Sequence, residues 1–222
     1  MAWFVVFKKM TLCLFIFKQT RMFIIEGNIG SGKSTLVRKL NGMSIHTLQE
    51  PVDMWTSFQD EHGVSIFEYY YKEPEKYAFS FQMHVLLTRF QSMQRAKRMN
   101  GPVVCERSIQ TDKHIFAKCM LERNNMSDIE YKIFDTYYDH LSKEIGDVNN
   151  DVIIYLRQEP TVCQDRIRNR SRIGEDVISL GYLKHLHDLH DEWLLNNDKV
   201  IVIQDNDDIT VDYLLRNFLS KV

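Results

Sequence analysis

Residues 23–35 read Phe23-Ile24-Ile25-Glu26-Gly27-Asn28-Ile29-Gly30-Ser31-Gly32-Lys33-Ser34-Thr35. An apolar run leads into Gly27, and four residues separate it from Gly32-Lys33-Ser34, which gives the spacing G-x-x-x-x-G-K-[ST] of a phosphate-binding loop. β-prone residues precede the loop and apolar residues follow it at helical spacing, so the loop lies between a predicted strand and a predicted helix. The pattern predicts that the chain binds a nucleoside triphosphate, without saying what receives the phosphate.

Each residue type in the loop has a chemical reason to be there. Because glycine has no Cβ, the loop backbone can turn tightly and point its N–H groups at a phosphate. Lys33 supplies a positive charge for the β- and γ-phosphates, Ser34 supplies a hydroxyl for Mg²⁺, and the helix N-terminus adds its dipole. We expect contacts to ATP from Gly27, Asn28, Ile29, Gly30, Ser31, Gly32, Lys33, Ser34 and Thr35.

Composition bounds the class of protein. The chain has 222 residues, which suits one α/β domain, and a formal net charge of −2, which gives no electrostatic reason to expect nucleic-acid binding. Its four cysteines form no C-x-x-C pair and suit reduced thiols in the cytoplasm. Residues 1–21 hold two apolar runs, 2–7 and 12–17, each far short of the ~20 residues needed to span a bilayer. We interpret residues 1–21 as an extension of unassigned role; a mitochondrial presequence stays open as an alternative to the cytoplasm, although Arg and Ser are scarce.

Strand and helix patterns alternate through the rest of the chain. After the strand at 23–25, short β-like runs occur at 44–48, 103–105, 152–156 and 199–203, and helical patterns at 75–99, 109–122, 128–145, 161–169, 179–197 and 210–219. The sequence predicts one domain over residues 22–222, with a five-stranded parallel sheet flanked by helices on both faces. Right-handed crossovers place the carboxyl ends of all strands at one edge, so Gly27, Glu50 and Glu106 should converge on one cleft.

The residues at that edge suit phosphoryl transfer. Glu106 ends a predicted strand near the Mg²⁺ position, and Arg107 beside it can pair with phosphate oxygens. Glu50 is placed to accept a proton from an acceptor hydroxyl, or alternatively to pair with a surface lysine. The arginine-rich stretch 166–172 is either a lid that closes over the phosphates and excludes water or a solvated helix face.

Two further patterns lie on predicted helices. Gln82 and Arg89 are two turns apart with Val85 between them, so they share a face that is either a nucleobase reader or simply solvated. The spacing His185-x-His187-x-x-His190 resembles a metal site, but leucines interleave with it, which favours an amphipathic helix.

Together these motifs resemble the cellular and viral deoxynucleoside kinase family over residues 23 to 194. The resemblance is carried by the loop at 25–34, Glu50-Pro51-Val52 with Trp55, Tyr71-Lys72 before Pro74, Phe81-Gln82, Glu106-Arg107-Ser108, Ile154-Tyr155-Leu156-Arg157, the arginines Arg166, Arg170 and Arg172, and Tyr182-Leu183 with Leu186-His187, His190 and Trp193-Leu194. It implies a P-loop kinase fold with an arginine-rich lid, ATP-dependent 5′-phosphorylation of deoxynucleosides with Mg²⁺, and a homodimer joined through a helix bundle.

The resemblance also implies residue roles. Glu50 resembles the base that deprotonates the 5′-hydroxyl, Arg107 the arginine that holds the 5′ end and the phosphate, and Glu106 the residue that serves Mg²⁺ with Ser34. The remaining residues resemble groups that read the base (Gln82), stack on it (Phe116), line its pocket (Trp55, Val85), grip the 3′-hydroxyl (Tyr71, Glu175) and hold ATP from the lid (Arg170, Arg172).

Specificity follows from one pair. Thymidine-accepting members of the family carry an apolar pair where this chain has Arg89 and Asp112. An Arg–Asp pair beside the base edge would crowd the 5-methyl group of thymine and offer polar partners to an amino group. We therefore expect deoxycytidine or purine deoxynucleosides to be favoured over thymidine; Val85 is larger than its deoxycytidine-type counterpart and leaves the order among the three bases open.

Other functions remain as alternatives. A nucleoside monophosphate kinase would need arginines for the acceptor's phosphate, for which Arg89 alone is a thin case. A non-catalytic scaffold of the same fold would not need Lys33, Glu50 or Arg107, all of which are present. A P-loop switch that only hydrolyses nucleotide would leave Gln82 without a role.

Overall fold

The computed structural model describes residues 22–41, 45–146 and 151–204. Within these ranges five strands are seen: β1 (Met22–Glu26), β2 (His46–Leu48), β3 (Val103–Glu106), β4 (Val152–Arg157) and β5 (Val200–Gln204). They form one all-parallel sheet in the order β2-β3-β1-β4-β5, which confirms the predicted α/β fold.

The helices connect these strands. They are α1 (Lys33–Leu40), α2 (Val52–Ser57), α3 (Ile66–Lys72), α4 (Pro74–Lys97), α5 (Ile109–Thr111, continued by a π-helical turn Asp112–Ala117 and by Lys118–Glu122), α6 (Asp128–Ile145), α7 (Pro160–Arg170) and α8 (Leu180–Leu194). Among the described helices, none is both long enough and apolar enough to cross a membrane.

Alternating side chains of β1 pack on opposite faces of the sheet. Met22 and Ile24 face the cluster built by α4 and α6, which includes Phe134, whereas Phe23 and Ile25 pack against the apolar side of α1. Burying such side chains stabilises the fold by about 1.5–3 kcal/mol each. Because helices cover both faces of this central strand, the apolar run before the loop could be recognised as a buried strand.

Several boundaries and two helices differ from the sequence prediction. The run at 44–48 becomes a strand only from His46, and the edge strands β2 and β5 are half-buried rather than buried. The sequence analysis did not identify α2 and α3, although Ser65 and Glu68 form a capping box at the start of α3. The predicted helix at 210–219 and the extension at 1–21 lie outside the described residues.

Candidate active site

The phosphate-binding loop lies between β1 and α1, as the glycine pattern predicts. Gly27 has φ +145°, and a Cβ there would lie 2.6 Å from the carbonyl oxygen of Leu156; a Cβ on Gly30 would lie 2.5 Å from that of Cys163. These approaches are closer than any side chain allows, so both positions require glycine. Asn28 connects the loop to α8, because its side-chain amide donates to the carbonyl oxygen of Leu183 at 2.8 Å.

Lys33 folds back onto its own loop. Its Nζ donates to the carbonyl oxygens of Gly27 at 3.0 Å and Asn28 at 2.7 Å. Burial and the charge of Arg107 lower the pKa of Lys33 to about 7. The side-chain amino group of Lys33 is therefore held against the loop by hydrogen bonds to two backbone carbonyls.

Ser34 and Glu106 meet across the loop. The Ser34 hydroxyl donates to the Glu106 carboxylate at 2.7 Å, which brings together the two predicted metal residues from α1 and β3. Within the described residues, no group of three or more His, Cys, Asp and Glu is arranged to hold a metal ion. One hydroxyl and one carboxylate beside a phosphate loop nevertheless fit Mg²⁺, since nucleotide phosphates and water supply its other oxygens.

Glu50 is held between two arginines. Its carboxylate accepts from Arg89 Nη2 at 3.0 Å and lies 3.2 Å from Arg107 Nε. Burial alone would raise the pKa of Glu50, but the charges of Arg107, Arg89 and Lys33 outweigh it and lower the pKa to about 2. The structure thus gives Glu50 two arginine partners rather than the surface lysine considered as the alternative.

Arg89 is shared between two carboxylates. Besides Glu50, its Nε donates to both oxygens of Asp112, at 2.9 and 3.0 Å, and both Arg89 and Asp112 are buried. Burial raises the pKa of Asp112 to about 7 even though the Arg89 guanidinium opposes the shift. The predicted specificity pair is therefore a buried, hydrogen-bonded ion pair connected directly to Glu50.

The π-helical turn of α5 carries two of the predicted residues. Asp112 begins the turn, and Phe116 lies within it with its ring 4.8 Å from the Arg107 guanidinium carbon. Such wide turns occur preferentially at functional sites. The sequence predicted a helix here but not the π turn.

Gln82 lies on α4 and lines the same cleft as Glu50, Arg89 and Phe116. Its side chain is buried, and its Oε1 has no hydrogen-bond partner among the described residues. A buried amide oxygen without a partner costs free energy unless a ligand completes its bonding. The Trp55 ring packs edge-on against the ring of Phe81, the residue before Gln82, with 5.8 Å between the ring centroids. Its Nε1 donates to the Thr88 hydroxyl at 3.0 Å.

The arginine-rich stretch lines the same cleft as the phosphate-binding loop and Glu50. Glu175 accepts two hydrogen bonds from Arg170, both at 2.7 Å, and one from Arg172 at 3.2 Å. Gly174, with φ +86°, lies close enough to α3 that a Cβ would contact the Glu68 backbone at 3.3 Å. Arg166 adds a hydrogen bond to the Ser31 carbonyl at 3.2 Å, which ties this segment to the phosphate-binding loop.

A cavity of about 520 Å³ joins these groups. The predicted residues that line it are Ile29, Gly30, Gly32, Lys33, Ser34, Thr35, Glu50, Trp55, Tyr71, Gln82, Val85, Arg89, Glu106, Arg107, Phe116, Arg170, Arg172 and Glu175. Four other predicted residues do not line it: Gly27, Asn28 and Ser31 lie in the loop, and Asp112 lies behind Arg89.

Comparison with known proteins gives the same assignment as the motifs. A family model described as deoxynucleoside kinase matches residues 23–217. The chain belongs to the deoxynucleoside kinase family. It is accordingly a phosphotransferase that acts on deoxynucleosides, which confirms that part of the sequence prediction.

Relatives of this deoxynucleoside kinase family member carry two kinds of name. The probable deoxycytidine kinase of fowlpox virus is 36% identical over 189 residues, which cover 83% of this chain and 77% of the viral protein. The bovine deoxycytidine kinase is 35% identical over 193 residues, with 78% and 74% covered. Human mitochondrial thymidine kinase 2 is 31% identical over 172 residues, with 77% and 63% covered. Relatives named as deoxycytidine kinases and relatives named as thymidine kinases thus have similar sequence identities to this chain.

Some residues of this kinase's cavity were missing from the sequence prediction. Arg38 and Asp53 line it, as does Arg166, which the sequence analysis included in the stretch considered as a lid but gave no individual role. Arg38 follows Ser34 by one helical turn, so the helical period after the loop could have identified it.

The three histidines of the metal-like spacing point to different partners. His185 pairs with Glu122 at 2.6 Å, His190 bonds the Leu186 carbonyl at 2.6 Å, and His187 lies 3.4 Å from Asp191. Glu122 lies on α5, whereas Leu186 and Asp191 lie on α8 itself. The three histidines therefore do not converge on one point, as expected for polar residues on an amphipathic helix.

Proposed function

We propose that this deoxynucleoside kinase family member transfers the γ-phosphoryl group of ATP to the 5′-hydroxyl of a deoxynucleoside and favours deoxycytidine or purine deoxynucleosides over thymidine. The observation that carries the proposal is the position of the Glu50 carboxylate, between Arg89 and Arg107 and in the cavity that contains the phosphate-binding loop. A carboxylate kept ionised next to a phosphate cradle suits proton removal from an alcohol acceptor.

The roles divide along the cavity. At one end the loop, Lys33 and the lid residues Arg170 and Arg172 bind the triphosphate, and Ser34 and Glu106 hold Mg²⁺, which neutralises charge on the phosphates when bound. The lid arginines exchange part of their pairing with Glu175 for phosphate oxygens, and lid closure excludes water that would compete with the acceptor.

At the other end the acceptor lies between α4 and α5. Gln82 offers one amide donor and one acceptor to the base edge, Phe116 stacks on the base, and Trp55 and Val85 limit its size. Tyr71 and Glu175 hold the 3′-hydroxyl. The acceptor's 5′-hydroxyl then faces Glu50, which takes its proton, while Arg107 holds the 5′ oxygen and the incoming phosphoryl group.

A nucleoside suits this end of the cavity better than a nucleoside monophosphate. Arg89 is already paired with Asp112 and Glu50, and Arg107 with Glu50, so both cations near the acceptor are neutralised. An acceptor phosphate would instead meet the Glu50 carboxylate at short range and be repelled.

The Arg89–Asp112 pair supports the base preference. Asp112 lies behind Arg89 and holds its guanidinium at the cavity wall, where it can donate to an unprotonated ring nitrogen of cytosine or a purine. Thymine presents a protonated ring nitrogen and an added methyl group there, so the same guanidinium disfavours it.

We also propose a homodimer in the cytoplasm. Ile129, Ile133 and Tyr137 are 70%, 41% and 53% exposed at successive four-residue steps of α6, and α6 packs against α4. An exposed apolar stripe of this kind suits a helix bundle with a second copy. Ile129→Glu with Ile133→Glu should convert the dimer to a monomer in light scattering; a wild-type chain that is already monomeric would contradict the proposal.

The cysteines support the proposed cytoplasmic location. The buried free thiols Cys105, Cys119 and Cys163 suit a reducing compartment.

A steady-state assay tests the reaction. Purified protein is given Mg²⁺-ATP and either deoxycytidine, deoxyadenosine, deoxyguanosine or thymidine, and ADP and the 5′-monophosphate are measured. Turnover on one or more of the first three with poor use of thymidine supports the proposal; the highest kcat/KM with thymidine overturns the base preference. If no nucleoside is used while ATP still binds, turnover of deoxynucleoside monophosphates would identify a monophosphate kinase, and its absence a scaffold.

A further inference from the structure

Glu26 is a buried carboxyl at the centre of the molecule to which the proposed reaction gives no role. It is the last residue of the central strand β1, it precedes the phosphate-binding loop, and its exposed fraction is 0%. Burial raises the pKa of Glu26, and Arg107 is the strongest of the cations that oppose the shift. A carboxyl in such a place needs a structural or chemical reason, because burying it is costly unless it is hydrogen-bonded.

Its hydrogen bonds go to the segment that carries Arg107. Glu26 Oε1 accepts from the Ser108 hydroxyl at 3.1 Å and from the Thr111 hydroxyl at 2.5 Å. The Thr111 oxygen in turn accepts from the Ser108 backbone N–H at 3.2 Å. One carboxylate oxygen therefore fixes both the residue after Arg107 and the first turn of α5.

Arg107 has a backbone conformation that needs such support. Its φ is +66°, in the left-handed region that residues other than glycine, asparagine and aspartate rarely adopt. Residues in this region persist only where their surroundings hold them, and they cluster at functional sites.

Two consecutive residues of β1 hold Arg107 and the residue after it. The Ile25 carbonyl accepts from the Arg107 N–H at 3.0 Å, and the Glu26 side chain accepts from Ser108. The left-handed turn sends the Arg107 side chain to the Glu50 carboxylate and the Phe116 ring. Without the Glu26 side chain, these two residues would hold the N–H of Arg107 but not the residue that follows it.

We propose that Glu26 is a positioning residue: through the hydroxyls of Ser108 and Thr111 it fixes the left-handed turn that aims the Arg107 guanidinium at the 5′ oxygen and the transferred phosphoryl group. This inference rests on the proposed function, because it deepens the role given there to Arg107. The feature that matters is the hydrogen-bond acceptor at Oε1, so an amide oxygen can replace it.

The test compares isosteric and truncating variants. Glu26→Ala should lower kcat with the preferred deoxynucleoside about 10- to 100-fold, the range for a misplaced catalytic group, while Glu26→Gln should stay within about threefold of wild type. Thr111→Val removes the linking hydroxyl without changing size and should follow Glu26→Ala, whereas Thr111→Ser keeps the hydroxyl and should retain most of the activity.

A binding measurement separates positioning from a general packing defect. Glu26→Ala and Thr111→Val should weaken binding of the deoxynucleoside, whose 5′ oxygen Arg107 holds in the proposed reaction, and leave the dissociation constant of ATP measured without nucleoside unchanged. Equal weakening of both ligands would mean that the mutation loosens β1 and its loop, and the positioning proposal would be wrong. A Glu26→Gln variant as inactive as Glu26→Ala would also overturn it, since the acceptor alone would then not suffice.

The same experiment distinguishes failure of this inference from failure of the proposed function. A wild-type protein without turnover on any deoxynucleoside would refute the function and with it the role of Arg107. An active wild type together with a fully active Glu26→Ala variant would refute only the positioning role. Folding of every variant is checked by its thermal midpoint, and if Glu26→Ala does not fold, Thr111→Val and Thr111→Ser carry the comparison.

Discussion

Arg89 donates to the carboxylate of Glu50 at 3.0 Å, so the cation proposed to set base preference also fixes the group proposed to accept the proton. Glu50 extends this contact to Arg107, and Arg89 extends it to Asp112. Four charges of alternating sign, three of them buried and Glu50 half-buried, thus run from the phosphate end of the cavity to the base end. Changing one member leaves its neighbour partly unpaired in a buried place, which makes the consequences of single substitutions distinct and measurable.

Replacing Glu50 by glutamine should abolish most of the turnover. Glu50→Gln keeps the size of the side chain but cannot accept the proton, so we expect kcat to fall about 10²- to 10⁴-fold. Circular dichroism and the thermal midpoint should show an intact fold. If kcat stays within about threefold of wild type, Glu50 is not the general base.

Removing Arg89 and Asp112 together should shift the enzyme toward thymidine. Arg89→Met alone leaves the Asp112 carboxyl buried without its cation, and Asp112→Ala alone removes one of the two carboxylates paired with Arg89, so each single change should destabilise the fold by about 3–5 kcal/mol. The double variant Arg89→Met/Asp112→Ala removes both charges and makes room for the 5-methyl group. We expect its kcat/KM ratio of thymidine to deoxycytidine to rise about tenfold or more, with a thermal midpoint above those of the single variants. An unchanged substrate ratio in a folded double variant would show that the pair does not determine specificity.

Truncating Gln82 should affect the nucleoside and leave ATP alone. Gln82→Ala removes both amide groups from the base edge, a loss of roughly 1–3 kcal/mol, so kcat/KM for the deoxynucleoside should fall about 10- to 100-fold. The KM for ATP should not change, because Gln82 lies away from the phosphate-binding loop. Gln91→Ala provides a matched control, since Gln91 is exposed on the same helix α4. Equal losses for nucleoside and ATP in Gln82→Ala would indicate a packing defect instead of lost base recognition.

The sequence was most informative where a local pattern determines the backbone. The glycines of the loop identified the turn between β1 and α1, and apolar runs ending in Glu106 or preceding Glu50 placed these carboxylates at one edge of a parallel sheet. The helices α2 and α3 were missed because, at six and seven residues, they are too short to show a helical period, although the Ser65–Glu68 capping box was available as a local sign.

Other features depend on tertiary contacts that no local pattern encodes. The π turn at Asp112–Ala117 leaves no distinctive spacing in the sequence, and the φ of +66° at Arg107 occurs at a residue type that ordinarily avoids it. Likewise, the contact between Glu26 and Thr111 joins residues 85 positions apart. Such contacts follow from how β1 and β3 lie side by side, which the predicted topology allowed but did not specify.

Binding of ATP should be accompanied by proton uptake at Lys33. The pKa of Lys33 is lowered from its ordinary value to about 7, so above pH 7 the free protein carries mostly the neutral amine. Phosphate oxygens stabilise the ammonium and raise the pKa again, which draws one proton from the buffer. Accordingly, the affinity for ATP and kcat/KM for ATP should fall as the pH rises above about 7, whereas kcat, which reports the bound complex, should not show this limb. Calorimetry at pH 8 in two buffers of different ionisation enthalpy measures the uptake directly. Lys33→Arg, whose side chain stays charged, should bind ATP without this proton, and uptake equal to that of wild type in this variant would assign the proton to another group.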